Sequence, residues 1–257
     1  MIISDEHRYL FVELPRTGST AISKELREHY AGKPILFKHA TYSDFAAIAT
    51  DDQKNYFVFS GIRNPLDDAV SLFYKLRTNH REQYSRMQNN KRFFSRLVMY
   101  PTLKKFQYIQ DHDPDFSDYF LKFYRYPFSN WSTASHKKFN TVIRFEHIQE
   151  DFAQVLKLMG VEQKRPLPVI NKTGKKRDPF AHYSPAARER AKKVFGPFMN
   201  RWGYDFPADW GETTIPWGNQ LQFDLLNFFR KIYWEYIRAY VHARLHPERP
   251  NKWQPNI

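Results

Sequence analysis

Four short apolar runs, Tyr9 to Leu14, Ile35 to Phe37, Tyr56 to Ile62 and Thr141 to Phe145, read as strands. They alternate with helical patterns at Ser19 to Tyr30, Asp44 to Ile48, Leu66 to Leu76 and Ile148 to Met159. This exchange predicts an α/β fold in three layers: a central parallel sheet with right-handed crossovers and helices on both faces. Ligands in such sheets bind beyond the carboxyl ends of the strands. Between Thr78 and Pro127 the chain is rich in Arg, Lys, Gln and aromatics and shows no strand pattern, so helices and loops covering the sheet are expected there.

Two strand-to-helix turns fall at those carboxyl ends. In YLFVELPRTGST (Tyr9 to Thr20) an apolar run ends in a turn at Gly18, and a helical pattern starts at Ser19. The first N–H groups of a helix have no acceptors within it, and the macrodipole favours an anion there, so the turn reads as a phosphate cradle. The backbone amides of Thr17 to Thr20 and the hydroxyls of Thr17, Ser19 and Thr20 are its candidate donors, with ordinary helix capping as the plain alternative for the hydroxyls. The second turn follows Tyr56 to Ile62 and contains Arg63, the cap candidate Asn64 and Pro65 at the first helical position. Ser71 lies about two helical turns beyond Asn64, on the face of the cap. Two anion sites on neighbouring strands suggest a nucleotide with two separate phosphate groups.

Forty Lys and Arg against 27 Asp and Glu give a net charge of +13, which favours anionic ligands without choosing among nucleotide, polyanionic acceptor, nucleic acid and acidic membrane. With no cysteine, disulfides and thiolate metal sites are excluded. The histidines form no HExxH spacing and the acids no calcium-loop pattern, so no metal is expected. A strand candidate begins within ten residues of Met1 and no run approaches the roughly 18 apolar residues of a membrane span, so a soluble, cytoplasmic protein is expected.

Pro15-Arg16-Thr17-Gly18-Ser19-Thr20, Lys38-His39-Ala40-Thr41 and Arg63-Asn64-Pro65 followed by Ser71 resemble the ordered motifs of sulfotransferases that use 3′-phosphoadenosine 5′-phosphosulfate (PAPS). The likeness is nearest to the carbohydrate-type branch and runs with gaps from about Tyr9 to Phe206. It implies a P-loop-like fold, a first motif on the 5′-phosphosulfate, and Arg63 and Ser71 on the 3′-phosphate. The product is 3′,5′-bisphosphoadenosine. The His of the KHAT motif, His39, becomes the candidate base, with Asp44 or Glu13 as possible helpers. Arg16 stands where relatives often carry Lys; a guanidinium does not readily give up a proton, so it favours electrostatic stabilisation of the leaving group over acid catalysis. The acidic pair Asp67-Asp68 stands near where relatives often carry Arg. The cations Lys172, Lys175 and Arg177 lie in a Pro-rich loop suited to closing over a nucleotide.

Competing readings are a P-loop nucleotide kinase, whose GxxxxGK[ST] signature is absent, and a basic nucleic-acid-binding module, which leaves both anion turns unexplained. The organisation expected is a sulfotransferase domain over 1–212 with an aromatic-rich helical extension over 213–257. In that extension Asp224, Asn227, Lys231, Glu235 and Arg238 make one narrow polar stripe on an otherwise apolar helix. Such a helix needs cover: its own domain, a second copy or a membrane surface. The acceptor expected is a hydroxyl, by resemblance on a saccharide.

Overall fold

The computed structural model describes residues 1–89, 93–130, 138–168 and 178–237. By its contacts the chain divides into two compact units, which among the described residues are 1–64 with 130–168 and 65–129 with 178–237.

The first unit is built on a five-stranded sheet with strand order β3-β1-β2-β4-β5, comprising β1 (Ile2–Ser4), β2 (Tyr9–Val12), β3 (Lys33–Pro34), β4 (Phe57–Ile62) and β5 (Thr141–Arg144). Its centre is parallel, as the sequence predicts: β2 pairs β4 with Val12 beside Ser60, and β4 pairs β5 with Ile62 beside Arg144. The sheet as a whole is mixed, because β1 runs antiparallel to both β2 and β3. Ile35 to Phe37 is not a strand. Leu36 has φ 59°, outside the extended region, and the backbone leaves the ladder after the Ile35 N–H donates to the Met1 carbonyl at 3.1 Å. The true edge strand holds Lys33 and Pro34, both exposed, which discourages further strand addition.

Strand alternation sorts the side chains into two cores. Tyr9, Phe11, Phe59 and Ile143 meet Ile22 and Leu26 of α1 (Ser19–His29) and Phe152, Val155 and Leu156 of the helix Ile148–Leu158. On the other face, Leu10, Val12 and Val58 meet Ala40, Tyr56 and Phe45 of α2 (Tyr42–Ala46). Thr41 closes a capping box for α2: its hydroxyl accepts from the Asp44 N–H at 3.3 Å, and Asp44 accepts from the Thr41 N–H at 2.6 Å.

The second unit is helical, as the absence of strand patterns between Thr78 and Pro127 implies. It contains α3 (Pro65–Arg77), α4 (Gln83–Gln88), α5 (Phe93–His112) and α6 (Phe116–Phe123), and then, after the first unit's α7 (Ile148–Leu158), α8 (Pro185–Trp202) and α9 (Trp217–Ile232). Its core is largely aromatic: Phe116 sits edge-on to Tyr183 at 4.8 Å, and Phe120 packs on Phe195 at 5.5 Å. Asp67 and Asp68 occupy the first turn of α3, where the macrodipole stabilises carboxylates. This gives a physical reason for an acidic pair at that position. Ser184 caps α8 by accepting from the Ala187 N–H. No helix among the described residues is long and apolar enough to cross a membrane.

Phe152 is fully buried between α7 and the sheet. Phe152→Ala should therefore cost about 3–5 kcal/mol in denaturant unfolding. A loss below about 1 kcal/mol would mean that α7 does not seal this face of the sheet.

Candidate functional site

The chain leaves β2 through Glu13, Leu14 and Pro15 and reverses at Gly18, whose φ of 75° makes a left-handed cap with no side-chain hydrogen bond to the helix. The Gly18 carbonyl accepts from the N–H of Ala21 at 2.9 Å and of Ile22 at 3.3 Å, which starts α1. Preceding amides have no carbonyl one turn earlier to receive them, and no capping side chain takes their place. Two glycines permit this geometry. A Cβ on Gly18 would lie 2.4 Å from Ile148 Cδ1, and one on Gly61 of β4 would lie 2.8 Å from Thr17 Oγ1. The loop therefore settles directly on the sheet. The Thr17 hydroxyl is buried and donates to the Leu14 carbonyl at 2.9 Å, so it braces the turn from within.

The second turn is adjacent. Because β2 and β4 are parallel and in register, both exit at the same end, and the Arg63 guanidinium donates to the Arg16 carbonyl at 3.3 Å. The same guanidinium stacks over the Phe145 ring, 4.3 Å from its centroid. Asn64 is buried, and its N–H donates to Glu146 at 2.7 Å, just past β5. Arg63 is thus oriented by three strand ends at once.

His39 lies on the third approach. It has a φ of 66°, and its ring Nδ1 lies 2.9 Å from the Glu13 carbonyl. A carbonyl only accepts, so in the neutral ring Nδ1 carries the proton and the lone pair is left on Nε2. Burial lowers the His39 pKa, a shift opposed by the hydrogen bond to Glu13 and reinforced by Lys38, so the ring is neutral at neutral pH. Glu13 itself is buried. Burial alone would raise its pKa, but the amino group of Met1, the Ser23 hydroxyl at 2.6 Å and Lys38 outweigh burial and hold it below the ordinary value. Lys38 also donates to the Thr20 hydroxyl at 3.3 Å, which places a cation against the first turn of α1.

Comparison with known families matches the chain over residues 1–205 to a model described as the sulfotransferase family. The chain belongs to the sulfotransferase family. It is accordingly an enzyme of a PAPS-dependent class, and this assignment displaces the kinase and nucleic-acid alternatives. Comparison with curated proteins and with solved structures gave no match.

In this sulfotransferase the first unit gathers Arg16, Thr17, Gly18, Ser19, Thr20, His39 and Arg63 around one end of β2 and β4. Ser71 lies on α3, in the second unit, and is half-buried. Lys172, Lys175 and Arg177 lie outside the described residues. Sequence reasoning gave Lys38 no role although it stands inside the KHAT motif, and it missed Phe145 and Glu146, which hold the second turn. It also missed the convergence of Glu25, Glu28 and His29 within 4.8 Å near the far end of α1, where Arg165 pairs with both carboxylates.

Substitution of Gly18 tests the seat of the cradle. Gly18→Ala should lower stability by about 1–3 kcal/mol, because a side chain is forced into a left-handed conformation against Ile148. In a double-mutant cycle read by unfolding, Ile148→Ala should relieve part of that loss. Full additivity would show that the contact with Ile148 is not what requires glycine.

Proposed function

We propose that this enzyme transfers a sulfuryl group from PAPS to an acceptor hydroxyl, with the donor's two phosphate ends held at the two neighbouring turns. The observation that carries the reading is the Arg63 to Arg16 hydrogen bond at 3.3 Å, which joins the two anion-suited turns at one end of the sheet. The fit is favourable because the Gly18 turn, held at a φ of 75°, presents backbone amides without a capping side chain. In this reading the amides of Thr17 to Thr20 and the side chains of Arg16, Ser19 and Thr20 hold the 5′-phosphosulfate. Thr17 contributes its amide only, since its hydroxyl is committed to Leu14. Arg63 takes the 3′-phosphate; the motif resemblance adds Ser71 to that role, and Lys172, Lys175 and Arg177 as further cations.

When bound, PAPS supplies an SO3 unit on a phosphate leaving group. His39 Nε2 accepts the acceptor hydroxyl proton as that oxygen bonds to sulfur. Arg16 and the α1 amides stabilise charge on the phosphate oxygen as the S–O bond breaks, leaving 3′,5′-bisphosphoadenosine and a protonated His39. Arg16 remains charged throughout, so this stabilisation is electrostatic. A saccharide is the acceptor class favoured by the motif resemblance, and the net charge of +13 suits an already anionic glycan. Residues 213–257 form an extension appended to the catalytic part.

Thermal-shift titration tests the binding half. 3′,5′-Bisphosphoadenosine should raise Tm more than adenosine 5′-monophosphate, ATP with Mg2+ or a short oligonucleotide, and Arg63→Ala should remove that advantage. Equal stabilisation by the mono- and bisphosphate would refute a second phosphate site. Transfer of labelled sulfate from PAPS to a panel of saccharides, phenols and peptides identifies the acceptor.

In that assay His39→Ala should lower kcat by about 10²–10⁴ while leaving the bisphosphoadenosine shift in place. Because the folded-state pKa of His39 is lowered from 6.5, the acid limb of kcat/KM should lie below pH 6.5 and vanish with the substitution. An acid limb that persists in His39→Ala would assign the base elsewhere.

A further inference from the structure

Helix α9 carries apolar side chains on two opposite sides. Phe223 is fully buried in the second unit, whereas Trp217 is 80% exposed and Leu221, Leu225, Phe228 and Phe229 are 55–58% exposed. Among the described residues, packing on its own unit therefore covers only one side of the helix. Leu221, Leu225, Phe228 and Ile232 follow one another at steps of four, three and four, the spacing that keeps a seam facing a neighbouring helix over about two heptads. The five exposed side chains present roughly 500 Å² of apolar surface, taking about 150–250 Å² for a whole aromatic side chain. That is near the upper end of the largest patch on a typical monomer, about 300–600 Å². With a polar rim it approaches the about 800 Å² per partner of a standard specific interface.

The charges beside the seam select the occupant. Asp224 and Lys231 are seven residues apart, so they lie on the same edge of the stripe, and they have opposite signs. In an antiparallel pair of identical helices centred between residues 227 and 228, Asp224 of each copy falls opposite Lys231 of the other. A twofold contact forms this pair twice with no further requirement. An anionic bilayer would instead bring the Asp224 carboxylate against lipid headgroups of like charge.

We propose that α9 pairs antiparallel with α9 of a second copy of this chain, with Leu221, Leu225, Phe228 and Ile232 as the seam and Asp224 and Lys231 as reciprocal ion pairs. The contact lies beyond residue 205, outside the part matched to the sulfotransferase family, and does not depend on the nucleotide reading.

Sedimentation equilibrium of the full chain tests this. The native chain should dimerise, and Phe228→Asp should raise the dimer Kd at least tenfold with the bisphosphoadenosine shift unchanged, since Phe228 lies on the exposed side of α9. Asp224→Lys and Lys231→Asp should each weaken self-association, and an equimolar mixture of the two variants should recover the dimer, because each then meets its opposite charge. A native chain that stays monomeric at all concentrations, or a dimer indifferent to Phe228→Asp, overturns the proposal. So does a monomer taken up by phosphatidylserine vesicles through a contact that Leu225→Asp abolishes, which would make the cover a bilayer.

Discussion

Parallel pairing of β2 with β4 brings Val12 beside Ser60, so the chain emerges from both strands at one end of the sheet. The rest of the site follows from that register. Gly61, one residue on, has no side chain, and the Thr17 turn descends onto it. Arg63, two residues further, meets the Arg16 carbonyl. A slip of one residue would turn the side chains of β4 to opposite faces and put a Cβ under the cradle, so core packing and site geometry specify the same register.

The site also depends on one buried carboxylate in strongly basic surroundings. Glu13 binds the amino group of Met1 and the Ser23 hydroxyl through its side chain, and its backbone carbonyl receives the His39 ring. A buried acid in so basic a chain looks unfavourable until its partners are counted. Its charge is neutralised locally, and the residue acts as a brace whose main chain sets the tautomer of the histidine. Lys38, between this brace and Thr20, turns the KHAT segment into one that supplies both a cation and a neutral imidazole.

The parallel centre of the sheet and the two turns were legible in the sequence because buried strands are written as continuous apolar runs, and because Gly18 and Pro65 punctuate them. β1 was not: three residues carry too little pattern, and its identity comes from pairing with β2. Ile35 to Phe37 reads as a strand in sequence because apolar composition reports packing against the core, which these partly buried residues do, and does not report the positive φ at Leu36. His39 was found through its motif, whereas its tautomer required knowing which carbonyl faces Nδ1. Contacts made by residues far apart in sequence, such as Glu146 on Asn64 or Arg165 on Glu25, leave no local trace.

The two perturbed groups at the site act in the same direction on stability but in different pH ranges. His39 binds protons less readily folded than unfolded, so the folded state loses stability as pH falls below 6.5. Glu13 has a lowered folded pKa, so its contribution is present above 4.5 and is lost as acid titrates it in the native state. Above 4.5 Glu13 still holds its partners. Loss of the Glu13 contribution belongs to the carboxylate range, whereas that of His39 starts below the ordinary imidazole value. The two groups meet through one hydrogen bond, and because the carbonyl that orients the imidazole belongs to the backbone, titration of the Glu13 side chain does not remove the acceptor itself.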